Sequence, residues 1–279
     1  MSLLKKYPPF SVLMSVYEKE KPDYFDLALR SIYEQTVKPD EIILVEDGPI
    51  PESLKNIVKK YQALYGKEKF KVIVSYKNQG LGVSLKLGTE FVSNEWIARM
   101  DSDDYSVPNR FENQLEAISK HPDVAVVGGQ VKEFETEIGN IVSQRKVPVD
   151  EGAIHKFMKW RSPFNHPTVM INKTKLLEVG GYIPYGNLED YYLWARMVAN
   201  NYSVMNVPDY LVYMRADGGM YARRGKLKNL KYFYKLRGYL KQKKILSSSQ
   251  AFCGDIMMTI NIALPGFLRK KIYQNWLHK

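Results

Sequence analysis

Apolar residues along the first hundred positions alternate between two patterns. Short unbroken runs, FSVLMSVY (10–17), EIILVEDG (41–48), FKVIVSY (70–76) and EWIARMD (95–101), predict strands buried on both faces. Between them, YFDLALRSIYEQT (24–36) sets Phe25, Leu29, Ile32 and Tyr33 at helical spacing. PESLKNIVKKYQALY (51–65) opens with a helix-starting proline, and LGVSLKLGTEFV (81–92) predicts a third helix. Strands alternating with helices predict an α/β fold with a mostly parallel sheet covered on both faces. Ligands of such sheets collect at the carboxyl ends of the strands. Further on, 108–121 reads as a helix, 124–134 as a strand, 188–201 as a helix with Glu189 and Asp190 in its first turn, and 203–215 as extended chain. Residues 139–187, rich in Pro, Gly and Asn, give no single rhythm.

Charge divides the chain where periodicity does not. The net charge is +11, but residues 1–217 carry 27 Lys/Arg against 29 Asp/Glu, whereas 218–279 carry 14 Lys/Arg and one acid, Asp255. A near-neutral domain over 1–217 is therefore expected to bear a basic helical extension over 218–279. At 45% apolar residues the chain can bury a substantial core. One cysteine, Cys253, excludes an internal disulfide framework and a Cys-based zinc site. MSLLKKYPPF has no signal-peptide core and no run of roughly 20 apolar residues occurs. A cytoplasmic protein, free or held at a membrane surface, is expected.

The carboxyl-end rule then meets the acids. The second strand ends in Glu46-Asp47-Gly48 and the fourth in Asp101-Ser102-Asp103-Asp104, so both acidic groups fall at one sheet edge. Three carboxylates in four positions repel one another and call for positive charge. If the segment is extended, Asp101 and Asp103 point to the same side and make a hard-oxygen site for Mg²⁺ or Mn²⁺ carrying a diphosphate. The plainer alternative is an acidic turn in which Asp104 or Ser106 caps a helix.

In order along the chain, SVLMSVY, ALRSIYEQTVKPDEIILVEDGP, NQGLGVSLKLGTE, EWIARMDSDD, NRFENQLE, NHPTVM and LEDYYLWARM resemble the family 2 glycosyltransferases of GT-A fold, over about residues 10–215. The EDGP, ARMDSDD, NHPTVM and EDYYLW forms look most like bacterial capsule and exopolysaccharide enzymes. The resemblance implies an inverting, metal-dependent transfer from a nucleotide-sugar, with UDP as the family's habitual nucleotide, to a glycan or lipid-linked acceptor. It implies a nucleotide-binding half to about residue 105 and an acceptor half over 106–217, with Ser15, Val16, Tyr17 and Glu18 lining the nucleotide pocket and Asp47 bonding uracil or ribose. Asn78 and Gly80 would sit beside the nucleotide, with Gly82 allowing close approach. Arg99 and Ser102 belong to the same nucleotide-sugar motif as Asp101 and Asp103, which would contact ribose and the metal-bound diphosphate. Asp190 would be the catalytic base, with Glu189 placing the acceptor. A base at the acceptor hydroxyl and a cation at the leaving diphosphate are what such a transfer requires. Acids in a helix's first turn also simply favour its dipole.

His166 has three readings: metal ligand, diphosphate contact, or buried hydrogen-bonded imidazole. Many relatives carry Arg-x-His after the strand following the catalytic helix, but this chain has Arg215-Ala216-Asp217. Asp217 would substitute as an oxygen ligand, or the metal would have no protein ligand there. Arg215, Arg223 and Arg224 suit diphosphate oxygens.

The segment 223–244 holds 10 Lys/Arg and no acid, with Leu227, Leu230, Tyr234 and Leu240 at roughly helical spacing, and 263–279 adds aromatics among further cations. Such helices suit the anionic inner face of a bacterial membrane; they equally suit packing on the domain or on a second copy in a homo-oligomer. Two other functions compete. A sugar-1-phosphate nucleotidyltransferase would show a Gly-rich phosphate loop near the N-terminus, and SVLMSVYEKEKPDYF has no glycine. Nucleic-acid binding would rest on the basic tail alone and leave both acidic sites unexplained, so no nucleic-acid partner is expected.

Overall fold

The computed structural model describes residues 7–216 and 230–264. Its centre is the set of apolar runs. Phe10–Val16 (β1), Glu41–Glu46 (β2) and Trp96–Met100 (β4) are buried almost throughout, and Phe70–Val74 (β3) forms an edge with Val74 exposed. These strands pair in parallel in the order β3-β2-β1-β4, with Val12 beside both Ile42 and Ala98. The intervening helices are Pro22–Tyr33 (α1), Glu52–Tyr65 (α2) and Leu81–Phe91 (α3).

Beyond β4 the sheet becomes mixed. Tyr105–Ser106 (β5) is followed by the helix Arg110–Lys120 (α4) and the long strand Val124–Phe134 (β6). The stretch without rhythm resolves into Ile141–Arg145 (β7), Glu151–Met158 (α5), a 3-10 turn at His166–Thr168, Met170–Asn172 (β8) and Lys173–Glu178 (α6). Glu189–Ala199 (α7) and Ser203–Arg215 (β9) complete the domain. Three-residue β8 runs antiparallel between β4 and β6, β6 runs parallel to β9, and β5 closes the edge by pairing Tyr105 with Tyr213. The sheet is thus wholly parallel across its first four strands and mixed beyond them.

Two apolar layers cover the sheet. One joins Phe25 and Leu29 of α1, Leu54 of α2 and Phe111 and Leu115 of α4. The other joins Leu85 of α3, Leu176 of α6 and Leu193 and Trp194 of α7. The second layer also takes in Leu236 and Leu240 of the helix Leu230–Gln242 (α8), with Leu246 and with Ala251 of Ser248–Ala263 (α9). The basic segment therefore contributes to the main core through its described part. The inward face differs from the expected stripe. Leu236 and Leu240 are buried while Tyr234 is 41% exposed, because α8 turns Leu236 and Tyr239 toward α7, where Tyr239 meets Tyr192 edge-on. Leu227 and the stretch 265–279 lie outside the described residues.

Between α8 and α9, buried Arg237 meets Asp255, the segment's one acid, at 3.3 Å. Gly254 makes this possible, since a Cβ there would sit 1.9 Å from the guanidinium. A buried cation needs such a partner.

Because α8 shares the core, Leu240→Ala should destabilise the whole protein by about 2–5 kcal/mol within one cooperative transition in a denaturant titration. A separate transition for the C-terminal helices would contradict the shared core.

Candidate functional site

At the carboxyl ends of β1, β2 and β4 the surface opens into a cleft of about 860 Å³. Ser15 and Tyr17 reach it from β1, Asp47 from β2, and Asn78 and Gly80 from the loop before α3; Asp101, Ser102, Asp103 and Arg215 line it as well. Val16, by contrast, is fully buried, and Glu18 is exposed outside the cleft.

The acidic segment is a turn rather than extended chain, so the alternation argument does not hold there. The turn nevertheless gathers one oxygen each from Asp101, Asp103 and Asp104 within 4.8 Å of one another. Tertiary contacts fix it. The Arg215 backbone N–H donates to Asp104 Oδ1 at 2.9 Å, and Arg215 Nε donates to the Asp103 carbonyl at 3.2 Å. The Arg215 guanidinium stacks 3.6 Å from the Tyr24 ring and 4.5 Å from that of Phe134. It also donates to the carbonyl of Thr136, a β-branched residue held at φ 62°, a conformation rarely adopted without a structural demand. Arg215 thus clamps the acidic turn.

Behind the turn lie two arginines. Fully buried Arg99 forms a two-pronged ion pair with Asp101. Burial works against its charge, but Asp101 opposite holds the guanidinium protonated, above its ordinary value. Arg110, equally buried, donates to the Arg99 carbonyl at 2.7 Å and to Gln114 at 3.2 Å. Burial and then the Arg99 charge push it down to about 9. Asp103 is pushed up to about 7 by burial, then by Asp101 and Glu20. Asp104 is raised well above the carboxylate range by burial, Asp103 and Asp101. Its Oδ2 is buried with no hydrogen-bond partner. An all-carboxylate set with one orphaned oxygen fits a hard divalent cation. Asp103 is its most available member, since Arg99 engages both oxygens of Asp101. Asp217 lies outside the described residues, as do Arg223 and Arg224.

Asp47 differs from expectation in what it touches. Its two oxygens accept the backbone N–H groups of Gln79 and Gly80 at 2.8 and 2.9 Å, holding the loop that leads into α3. Gly48, at φ 86°, lets that loop pass, since a Cβ would meet the Asn78 nitrogen at 2.7 Å. Asp47 therefore organises Asn78 and Gly80.

A second lobe of about 360 Å³ adjoins the first and shares Asp101 and Met214 with it. Arg99, His166 and Asp190 line this lobe. His166 Nε2 lies 3.2 Å from the Tyr182 hydroxyl, and the ring packs edge-on to Trp194. Burial and then Arg99 hold it well below the ordinary imidazole value, hence neutral. It is not a member of the carboxylate group within 4.8 Å. Of its three readings the structure displays the hydrogen-bonded imidazole. Glu189 turns away from the lobe and packs on α3, 3.5 Å from where a Gly82 Cβ would stand. Its Oε2 is buried without a partner, and burial followed by Asp190 pushes its carboxyl up to about 7.

Sequence reasoning missed Lys19, Glu20, Lys21 and Tyr24, which line the first lobe directly after β1. Glu20 accepts the Ser102 hydroxyl. The alternating charges of YEKEKPDY at a strand's carboxyl end were the available signal. It also missed the second lobe's Arg145, Lys146 and Arg161, which lie in the stretch without rhythm.

Residues 11–181 match the model of the glycosyl transferase family 2. Over 97% of this chain and 98% of the relative, the sequence is 34% identical to the UDP-Gal:alpha-D-GlcNAc-diphosphoundecaprenol beta-1,3-galactosyltransferase of Escherichia coli. Over 95% of this chain and 98% of the relative, it is 35% identical to the amylovoran biosynthesis glycosyltransferase AmsE of Erwinia amylovora. The fold is that of GT-A glycosyltransferases. It is similar to the Pyrobaculum calidifontis mannosyltransferase PcManGT, solved with GDP-Man and Mn²⁺, at TM-score 0.64 and 14% identity, over 95% of this chain and 72% of that one.

The raised carboxyls fix a pH dependence. Asp103 and Glu189 hold protons up to about 7 when folded but release them near 3.8 and 4.5 in the unfolded chain. Between those values the folded state binds more protons, so their contribution to stability is complete at low pH and is lost as pH rises toward 7. Thermal melts of the metal-free protein should show a fall in melting temperature from pH 5.5 to 7.5 that Asp103→Asn and Glu189→Gln each reduce. Unaltered slopes would contradict the raised values. Added Mn²⁺ should stabilise the protein more at pH 7.5 than at 5.5, because the cation needs ionised ligands.

Proposed function

Because this chain belongs to glycosyl transferase family 2, we propose that it is an inverting glycosyltransferase moving a sugar from a UDP-sugar to a lipid-linked glycan in bacterial surface polysaccharide synthesis. The observation that carries this reading is the two-lobed cleft, with Asp103 in one lobe, Asp190 in the other and Asp101 common to both. The membership supports sugar transfer over nucleotidyl transfer.

In this mechanism Tyr17 and Ser15 flank the uridine and the loop held by Asp47 sets Asn78 and Gly80 against it. Asp103, assisted by Asp101 and Asp104, would hold a divalent cation, Mn²⁺ or Mg²⁺. When bound, that cation supplies positive charge to the departing diphosphate. Lys19 and Lys21, at the same lobe, add charge on the open side. Asp190 accepts the acceptor hydroxyl's proton as its oxygen bonds to the anomeric carbon; the carbon–oxygen bond to UDP breaks on the opposite face, and UDP leaves with the electron pair. Neutral His166 orients polar groups of the sugar without competing for the cation.

A lipid-linked acceptor brings the enzyme to the inner face of the membrane. Among the described residues no helix is long and apolar enough to cross one. Instead α9 exposes Phe252, Ile256, Met257 and Ile260, beside lysine-rich α8. That combination suits an anionic surface.

Asp190→Asn should lower turnover by about 10²–10⁴-fold while leaving UDP affinity within a few-fold; unchanged turnover would remove it from the base role. Asp103→Ala should abolish the difference in UDP affinity between Mn²⁺ and EDTA in calorimetry. A difference of wild-type size in that variant would sink the metal-site assignment.

A further inference from the structure

Side chains of Asp150, Asn172 and Ser247 cap the starts of α5, α6 and α9. The start of α7 has no such cap. Its cap position is Leu188, whose side chain has no acceptor to offer the free N–H groups. Asp190 nevertheless stands in the first turn of this helix and lines the second lobe, as do Asn187 and Leu188 just before it. Where these groups stand therefore depends on what packs around the loop between α6 and α7.

That loop is fastened from several sides. At its entry, Arg196 of α7 donates to the carbonyls of Val179 and Gly181. In its middle, the Pro184 Cα lies 3.6 Å from where a Gly82 Cβ would stand, against α3. At its exit, Tyr185 stacks on Tyr192 of α7, with ring centres 4.2 Å apart and planes at 22°. α8 then closes the arrangement from outside. Its Tyr232 ring centre lies 5.5 Å from that of Tyr185, and the ring sits on the Gly186 backbone, where a Cβ would meet it at 2.5 Å. Gly186 is at φ 70°, so the chain turns there in the left-handed region and presents bare backbone to the ring. Tyr232 is not what holds α8 to the domain. Leu236 and Leu240 do that in the second apolar layer, and Tyr232 belongs to neither layer. Phe233, its neighbour in sequence, lines the second lobe.

We propose that Tyr232 is a positioning residue for the transfer: its ring, seated on Gly186 and Tyr185, fixes the end of the loop and so sets where Asp190 meets the attacking hydroxyl. The assignment rests on the transferase reading above and adds to it that the C-terminal helix α8 supplies a working part of the second lobe. The aromatic plane carries the role and the hydroxyl does not, because contact with the Tyr185 ring and with bare backbone needs only a flat apolar face. A small displacement of a base slows reaction far more than it weakens binding elsewhere. Loss of the ring therefore falls on turnover and leaves the first lobe, with its nucleotide, unaffected.

The test uses the full chain with Mn²⁺ and reads UDP release from UDP-glucose, UDP-galactose and their N-acetylamino analogues, with water as the attacking hydroxyl. Tyr232→Ala should lower turnover at least tenfold, with KM for the UDP-sugar and UDP affinity in calorimetry each within twofold. Tyr232→Phe should return turnover to within twofold of wild type. Gly186→Ala, which drives a methyl group into the ring, should lower turnover likewise, and the double variant should lose less than the product of the two single losses, because one contact is removed either way. A second measurement needs no substrate. Hydrogen exchange at the amides of 185–190 should quicken at least tenfold in Tyr232→Ala, while exchange in β1 and β4 stays as in wild type. Wild-type exchange in that loop, wild-type turnover in Tyr232→Ala, or equal falls in turnover and UDP affinity, overturns the positioning role. Tyr232→Phe as slow as Tyr232→Ala overturns it too. Failure of the wild-type protein to release UDP from any of these sugars would instead overturn the transferase reading, and the exchange measurement would still judge the Tyr232 contact, so the two failures are distinct.

Discussion

Like charges crowded at the carboxyl end of β4 are the constraint around which this molecule is built. Two unit charges 4.8 Å apart repel by roughly 3 kcal/mol at an effective dielectric constant of 20, and three such groups meet in one turn. The fold answers partly from behind. Arg99 pairs with Asp101, and Arg110 adds a second buried cation that would be untenable without the acids in front of it. What remains on the cleft side is Asp103 and the Asp104 oxygen that has no hydrogen-bond partner. The opposite end of the same sheet shows the contrast. Glu41 is also buried, but it accepts from Lys71 and Ser11 at 2.6 Å and from the backbone and hydroxyl of Ser93, and together these outweigh burial and keep its carboxyl below the ordinary range. One carboxylate is saturated by protein, and the other group is not.

That difference assigns the two ends of the sheet to stability and to chemistry. The chemical end is assembled from distant parts of the chain. β5 pairs with β9 so that Arg215 arrives over the acidic turn, and Thr136 at the end of β6 accepts its guanidinium. The β1–α1 loop adds Glu20, whose carboxylate takes the Ser102 hydroxyl. Both termini of the turn are therefore tied down before any ligand arrives, and preorganisation of this kind lowers the cost of assembling the charged state.

Much of the first half could be read in the chain. Runs such as EIILVE and WIARM have no polar face to betray, and a strand without a wet side has few places to go except the middle of a parallel sheet. The carboxyl-end rule then placed Asp47, Asp101 and Asp103 together without any contact information. The second half resisted for physical reasons. β8 has three residues, and its antiparallel placement is decided by neighbours more than 70 positions away, Ile97 and Ala98 among them. Nor does composition reveal how a side chain spends its lone pairs. Asp47 faces the cleft yet gives both oxygens to Gln79 and Gly80, and Glu189 packs on Gly82 instead of lining the second lobe. Tail charge was similarly ambiguous, since a basic helix looks the same to composition whether it floats or packs. For the described part, 230–264, Leu236, Leu240 and the Arg237–Asp255 pair show that it packs.

The nesting of Arg237 against Gly254 bears on how the gene could be trimmed or fused. A stop codon between Gln242 and Ser248 would strip the guanidinium of its counter-ion and leave Leu236 and Leu240 half-covered, so the hairpin of α8 and α9 is indivisible. Reporter tags and circular permutation junctions belong beyond it. The link Lys243–Ser247 is a poor splice point, because its Leu246 is buried in the same apolar layer.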